Sequence, residues 1–252
     1  MKKILCTVAL LAGLQGVYAQ TINDTTITNT PIPSPKTDWR NVDMSNRGND
    51  HVLLQFGADG WGSTPDSINT TGFSRHFNIY FMLDKPFKTN PRFSVAFGVG
   101  VGTSNVFFDR TFVDVKSNAT QLPFTNQDSA DHFKKFKLVT VFAEAPVELR
   151  YNTNPLNPGK SFKIAIGGKV GTLLSAHTKG KTLENRNGQS INNYIQKEKS
   201  KRHFNSTRLV GTLRVGYGIF SVHGTYQITN LLKDGAGPEI RPYSVGLTIS
   251  GL

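Results

Sequence analysis

Large apolar residues alternate with small or polar ones from His51 onward. A period of two is the repeat of side chains on the two faces of a β-strand. In residues 92–104 one phase holds large apolar residues and the other holds Ser94, Ala96 and glycines; the large residues are Phe93, Val95, Phe97, Val99 and Val101. Weaker or equal alternation gives seven further segments, at residues 52–61, 73–83, 137–151, 162–171, 208–217, 220–228 and 243–250. Eight strands can close as an antiparallel barrel with both termini at one end.

The connections between these segments alternate in length. Residues 62–71, 109–133 and 178–204 are long or polar, whereas residues 84–91, 152–160 and 216–218 are turns rich in proline or glycine. Short periplasmic turns and long outer loops are typical of outer-membrane barrels. The sequence therefore predicts an all-β fold, an eight-stranded antiparallel up-and-down transmembrane β-barrel.

Periodicity alone does not say which phase faces inward, so a soluble secreted ligand-binding barrel is the competing interpretation. The polar phase consists mainly of Gly, Ala and Ser with few charges, which suits a crowded interior better than a water-exposed surface. The apolar phase is nearly free of charge. Lipid requires this, because Lys or Arg at the bilayer midplane costs about 2–4 kcal/mol.

The N-terminus predicts export. Lys2 and Lys3 precede an apolar run that ends in a small-residue cleavage pattern, so residues 1–19 form a signal peptide cleaved between Ala19 and Gln20. Residues 20–50 are rich in Thr, Asn, Asp and Pro, and they predict a flexible periplasmic segment. The barrel domain is then residues 51–252. Cys6, the only cysteine, falls within the signal peptide.

A short motif adds a family resemblance. Residues 141–154 read VFAEAPVELRYNTN, with Glu144, Pro146 and Tyr151 in the order E-x-P-x-x-x-x-Y, and residues 242–252 read PYSVGLTISGL. Both segments resemble the PorT-like outer-membrane β-barrel family, which is common in Bacteroidetes. The resemblance implies an integral outer-membrane protein with a structural, surface-binding or secretion and gliding accessory role. Because proline lacks a ladder donor, Pro146 is expected at a bulge or near the rim.

Several charged residues fall on the phase predicted to face inward: Glu144, Glu148, Arg150, Lys163, Lys169, Arg208, Arg214 and His223. An eight-stranded barrel is only just wide enough for its own side chains. We therefore expect these groups to pair as a lumen charge network that fills the barrel. A conducting or proton-linked pore is the alternative, and the narrow width disfavours it.

Residues 178–203 predict a basic outer loop. Two glutamates, Glu184 and Glu198, oppose seven cations: Lys179, Lys181, Arg186, Lys197, Lys199, Lys201 and Arg202. Such a loop suits phosphates of lipopolysaccharide or an acidic protein partner at the outer loops, although a merely solvated loop has the same composition. Removing Lys2 and Lys3 lowers the net charge from +12 to +10, which also suits an anionic partner. The predicted export disfavours nucleic acid, and the barrel wall implies contact with outer-membrane lipid.

The sequence predicts no metal site and no cofactor, because its six histidines show no HExxH spacing and no cysteine companions. A rim-active hydrolase or acyltransferase would draw on residues expected near the outer rim, namely Asp109, His132, His177 and His203. No spacing among them identifies a nucleophile with its base. A non-enzymatic protein is the favoured interpretation.

Three short triplets resemble the Asp-Ser/Thr acceptor for O-glycans on exported proteins of the same bacteria. They nominate Thr25, Ser67 and Ser129 as candidate acceptors. All three fall outside the predicted strands, where a bulky surface modification belongs.

Overall fold

The structure is a computed structural model that describes residues 51–65, 68–70 and 74–251. The predicted signal peptide with Ala19 and Gln20, the segment 20–50, Thr25 and Ser67 lie outside the described residues. Within the described ranges, no helix is both long enough and apolar enough to cross a membrane.

Eleven β-strands and one short 3-10 helix, Pro158–Lys160, make up the described fold. The strands are β1 Val52–Gly62, β2 Arg75–Pro86, β3 Phe93–Phe108, β4 Thr111–Val113, β5 Phe124–Asn126, β6 His132–Asn152, β7 Phe162–Glu184, β8 Ser190–Lys199, β9 Thr207–Tyr217, β10 Phe220–Gln227 and β11 Arg241–Ser250. Eight of them form the antiparallel ring β1-β2-β3-β6-β7-β9-β10-β11, which the pairing of β11 with β1 closes. This confirms the predicted eight-stranded barrel.

One row of paired residues shows how the ring closes. It starts at Phe93 on β3, crosses every wall strand and returns to β3 at Thr103, ten positions further along; between them lie Tyr151, Ile164, Val215, Val222, Leu247, Phe56 and Phe77. A stagger of this kind is what a tilted, closed sheet requires. Nearly every residue in the row is large and apolar, so the row lies on one face of the wall.

The apolar phase faces outward. Phe97, Ile164 and Leu247 are 48%, 37% and 47% exposed, whereas Lys169 and Arg214 are 5% and 4% exposed. A water-soluble barrel would place these two sets the other way round. Exposed aromatic residues gather at the end with the short turns, namely Phe93, Phe162, Tyr217 and Phe220. An aromatic girdle of this kind marks a membrane interface.

The outer connections contain more structure than predicted. Residues 109–133 hold the β4–β5 hairpin, and β6 already begins at His132. The predicted loop at residues 178–204 is wrong as a loop, because β7 continues to Glu184 and β8 pairs with it. Above the membrane lipid does not require an apolar outer face, so apolar and polar residues do not alternate regularly in these segments, and the period of two did not predict them.

Pro146 also departs from expectation. It lies inside β6 opposite Lys169, away from the one register shift of the β6–β7 pair, which falls between Val141 and Phe142. On the other side, β3 and β6 pair at Phe97 and again at Gly100, with a gap between them. The missing proline donor is therefore accommodated by a break in one ladder, without a bulge at that position.

An apolar core closes the outer mouth of the barrel. It joins inward residues of β3, β6 and β7 to residues of the outer connections, namely Ile68, Val106, Phe108, Val113, Val115, Leu122, Phe136, Leu138, Phe142, Leu173, Ala176, Phe204, Leu231, Leu232 and Ile240. A smaller cluster of Leu53, Tyr80, Met82 and Ala96 lies inside the wall nearer the turns. The outer loops thus fold over the barrel.

Candidate functional site

The half of the lumen nearer the short turns contains one cluster of ion pairs. The Oε2 atom of Glu148 accepts from Arg150 Nε and from Arg214 Nη2, each at 2.9 Å. Arg150 also reaches Asp84, with 3.8 Å between Nη1 and Oδ1. Lys163, predicted for the same network, is buried in the lumen. One carboxylate therefore joins the guanidinium groups of two strands that are not neighbours.

A second cluster surrounds Glu144. Arg208 donates to Oε1 from Nε at 2.9 Å and from Nη2 at 2.7 Å. The Tyr80 hydroxyl donates to Oε2 at 2.5 Å, and Lys169 Nζ lies 3.7 Å from the same oxygen. Lys169 in turn donates to the Tyr80 hydroxyl at 3.0 Å. The guanidinium of Arg208 also lies 3.8 Å above the Phe142 ring.

A third cluster crosses the seam between β1 and β11. His76 and His223 approach through their Nε2 atoms at 3.0 Å. Nδ1 of His76 lies 2.7 Å from Oδ1 of Asp59, and the Ser104 hydroxyl donates to the other carboxylate oxygen, Oδ2. Nδ1 of His223 lies 2.9 Å from the Thr248 hydroxyl. Sequence reasoning nominated His223 alone in this cluster. It missed the others, because their partners come from strands distant in the sequence.

These side chains leave little free space. A cavity of about 40 Å³ lies between the Glu144 cluster and the apolar core, and Asp59, His76, Lys169 and Arg208 are among its lining residues. A water needs about 10–15 Å³ and a small-molecule pocket about 300 Å³ or more. The cavity therefore suits a few waters and is too small for a small-molecule ligand.

The most distinctive outer feature is a set of lysines on the sheet formed by β6, β7 and β8. Cross-strand register aligns Lys137, Lys179 and Lys197 in one row and Lys135 with Lys181 in the next. The row below contains His177 and Lys199. These residues share the outward phase, opposite to the buried residues Phe136, Leu138 and Thr178. We call the group Lys135, Lys137, His177, Lys179, Lys181, Lys197 and Lys199 the basic face.

The two glutamates of this hairpin do not neutralise the basic face. Glu198 alternates with Lys197 and Lys199 on β8 and so lies on the other side of the sheet. Glu184 is buried and pairs with Lys134 at 3.1 Å. Like charges directly opposite one another in a sheet are destabilising. The basic face therefore keeps an unfavourable concentration of positive charge.

Seven cations were predicted to lie in the basic outer loop, and three of them lie apart from the basic face. Arg186 is in the turn between β7 and β8. Lys201 donates to the carbonyl of Leu173 at 3.1 Å, and Arg202 donates to Asn118 at 2.8 Å. The latter two hold the chain beyond β8 against the barrel mouth. Conversely, Lys135 and Lys137 belong to the basic face although they were not nominated.

Partial burial and the concentration of positive charge on the basic face shift two pKa values. Burial and the charges of Lys179 and Arg75 lower the pKa of Lys137. Burial and four lysines, with Lys197 the strongest, lower the pKa of His177 below its ordinary value. Both shifts have the direction expected where cations repel one another.

Removing charge from the basic face should raise the pKa of His177. In the double variant Lys179→Gln/Lys197→Gln, two of the repelling cations are gone, so the imidazolium becomes easier to form. The titration of the His177 ring protons by NMR in detergent micelles measures this. Lys160→Gln, in a turn at the opposite end of the barrel, is the control and should leave the titration unchanged. An identical His177 titration in the double variant and the wild type would refute the electrostatic assignment.

The nominated rim residues do not form one group. Asp109 is exposed, and each histidine contacts a separate local partner: His132 the Ala130 carbonyl at 3.2 Å, His177 the Ser175 hydroxyl at 3.4 Å and His203 the Ala119 carbonyl at 3.0 Å. Ser129 is exposed in the connection before β6. Among the described residues, no cluster of three or more His, Cys, Asp or Glu side chains is arranged to hold a metal ion.

Comparison with known proteins places the fold in a family. A family model described as an outer membrane protein beta-barrel domain matches residues 45–233, three quarters of the chain. The chain belongs to this outer-membrane β-barrel family. The outer membrane is accordingly its location, and the closed wall with outward apolar residues is its transmembrane part.

Two solved structures of Ail, the attachment invasion locus protein of Yersinia pestis, are similar to the chain. The one in complex with the heparin analogue sucrose octasulfate is 11% identical, has a TM-score of 0.34, and the match covers 79% of this chain and 94% of Ail. The other is 13% identical, has a TM-score of 0.32, and covers 81% of this chain and 97% of Ail. No curated protein matches the chain.

Proposed function

We propose that this protein is a non-enzymatic outer-membrane anchor that presents the basic face to an anionic partner at the cell surface. The observation that carries the proposal is the alignment of Lys137, Lys179 and Lys197 on one face of a sheet that extends beyond the barrel. Nothing in the stability of a barrel requires like charges in adjacent positions. Binding of an anion supplies a reason for the pattern, since it would relieve the repulsion.

The filled lumen supports an anchoring role over a transport role. The Glu144 and Glu148 clusters occupy the width of the barrel, and the apolar core closes its mouth. Interaction then depends on surfaces outside the wall. Phosphates of lipopolysaccharide and an acidic protein are the partner classes that suit the basic face, and the N-terminal segment 20–50 is a further candidate contact on the periplasmic side.

We also propose that the chain is a PorT-like outer-membrane barrel of the kind common in Bacteroidetes. The E-x-P-x-x-x-x-Y motif supports this assignment, because two of its residues have defined structural roles. Glu144 is the centre of the second ion-pair cluster, and Pro146 interrupts the β3–β6 ladder. A member of that kind would serve as a surface-binding protein or as an accessory of secretion or gliding.

Binding of a soluble polyanion to the protein in nanodiscs tests the proposal. A variant with Lys179, Lys181 and Lys197 changed to Gln should bind fluorescent dextran sulfate about 100-fold more weakly, because each lysine near an anionic surface contributes about 1 kcal/mol. Fluorescence anisotropy measures the affinity. The expected loss should shrink as salt rises, since exposed charges are screened.

The matched control removes the same charge at the other end of the barrel. Lys85, Lys88 and Lys160 are exposed near the short turns, and changing them to Gln should alter the affinity by less than about threefold. Equal losses in the two variants would reduce the effect to net charge and overturn the proposal. Stepwise conductance of the wild type in planar bilayers would overturn the anchoring role.

A further inference from the structure

The row Lys137, Lys179 and Lys197 occupies a particular height on the barrel wall. Lys137 and Tyr151 both face outward on β6, with Tyr151 packed against the girdle residue Phe93 at 5.0 Å between ring centroids. A rise of about 3.4 Å per residue and a tilt of about 40° place Lys137 about 37 Å above Tyr151. The hydrocarbon core is about 30 Å thick and the bilayer with headgroups about 40–45 Å. Lys137 therefore lies in the headgroup layer of the outer leaflet.

The surroundings of Lys137 suit that layer. Its Nζ donates to Asn105 Oδ1 at 2.7 Å and lies 5.5 Å from the centroid of the Phe107 ring. Arg75 approaches the same ring at 5.3 Å. An aromatic ring flanked by two cations combines an apolar surface for acyl chains with charge for the group above them. On β3 the outward residues just below this level are the polar Asn105 and Thr103, and those further down are apolar, including Val101 and Val99.

From this placement we infer that Arg75, Lys137, Lys179 and Lys197 form a binding site for the phosphate groups of an outer-leaflet glycolipid. The inference rests on the proposed function and names its ligand class. The four cations belong to β2, β6, β7 and β8, so the site spans several strands of the outer wall. Phosphate oxygens accept several charge-assisted hydrogen bonds at once, which suits adjacent ammonium and guanidinium groups.

The outward direction of these side chains selects a lipid over a soluble ligand. The site continues the lipid-facing wall directly, and the opposite face of the same strands is occupied by Phe136, Leu138 and Ala176 of the apolar core. A lipid can place its chains on the wall and its phosphates on the lysine row at the same time. His177, in the row below, would gain a proton more readily once a phosphate balanced its neighbours.

Reconstitution of the full chain with defined lipids tests the inference. The protein is placed in phosphatidylcholine vesicles that contain either phosphorylated or dephosphorylated lipid A, extracted in mild detergent, and assayed for retained lipid A by mass spectrometry. The wild type should retain the phosphorylated form at least about tenfold better. The variant Lys137→Gln/Lys179→Gln/Lys197→Gln should lose that preference and remain folded, because it relieves like-charge repulsion.

Lys85→Gln/Lys88→Gln/Lys160→Gln is the matched control, since it removes the same number of charges at the opposite end of the barrel and should leave the preference within about twofold of the wild type. Equal retention of both lipid A forms by the wild type would overturn the inference. If the wild type retained both lipid A forms equally but still bound dextran sulfate, the proposed function would stand. If it also failed to bind dextran sulfate, the proposed function and the inference would both be overturned. Complete release of lipid A by inorganic phosphate would identify a free-phosphate site and also overturn the lipid assignment.

Discussion

Glu144→Ala should destabilise the barrel by about 3–5 kcal/mol, because it leaves Arg208 and Lys169 buried without their counterion. The Glu144 carboxylate is fully buried, and without it Lys169 and Arg208 keep contacts with the neutral Tyr80 hydroxyl and the Phe142 ring but lose the anion that pairs with both. The adjoining cavity suits only a few waters, so full hydration of these groups would require the wall to open. Urea unfolding in detergent, followed by the shift between folded and unfolded bands on a gel, measures the change.

Two comparisons make this result specific to the lumen. Glu239 and Arg241 form an exposed ion pair at 3.6 Å, and Glu239→Ala should cost less than about 1 kcal/mol. Glu144→Gln retains the shape of the side chain and its hydrogen-bonding oxygen, so its cost should fall between those of the two alanine variants. If Glu144→Ala and Glu239→Ala unfolded at the same urea concentration, the lumen clusters would not stabilise the barrel.

The wall of the barrel was predictable because lipid constrains every residue of it. Outward positions such as Phe97, Ile164 and Leu247 must be apolar, and the narrow interior requires small or paired residues, so the period of two appears in each segment. No such constraint acts on β8 or on the upper part of β7, where apolar residues such as Leu173, Ile191 and Ile195 do not alternate regularly with polar ones. Their backbone pairing depends on neighbouring strands, and the sequence pattern carries no trace of it.

The sequence predicted which residues fill the lumen, but it did not predict which of them contact one another. The alternating pattern placed Glu144, Glu148 and the cations around them on the phase that faces the interior. Which cation contacts which carboxylate depends on the stagger between strands, as in the contact of Tyr80 with Glu144 across 64 residues of sequence. The same reasoning explains why Asp59 and His76 were overlooked, since their importance arises only where β2 and β10 meet across the seam.

The seam itself depends on two glycines. Gly57 on β1 pairs with Gly246 on β11, and the rings of His76 and His223 lie against them. A Cβ atom at Gly57 would overlap the carbonyl oxygen of Val245 and the Cα of Gly246, and it would lie 2.9 Å from Cε1 of His76. Backbone atoms cannot move aside as a flexible side chain can, so relief requires separation of the first and last strands.

Gly57→Ala should therefore weaken closure of the barrel by about 3 kcal/mol, the upper part of the usual range for overpacking. Gly224→Ala on β10 is the matched control, because a Cβ atom there meets nothing within 4 Å, and it should cost less than about 0.5 kcal/mol. The measurement is the temperature at which each variant changes from the folded to the unfolded gel band. Equal temperatures for the two variants would contradict a tight seam. Since β1 and β11 are the first and last strands of the described wall, their pairing closes the longest loop in the sequence, so a strained seam should also slow closure during folding, and refolding rates in micelles should fall for Gly57→Ala.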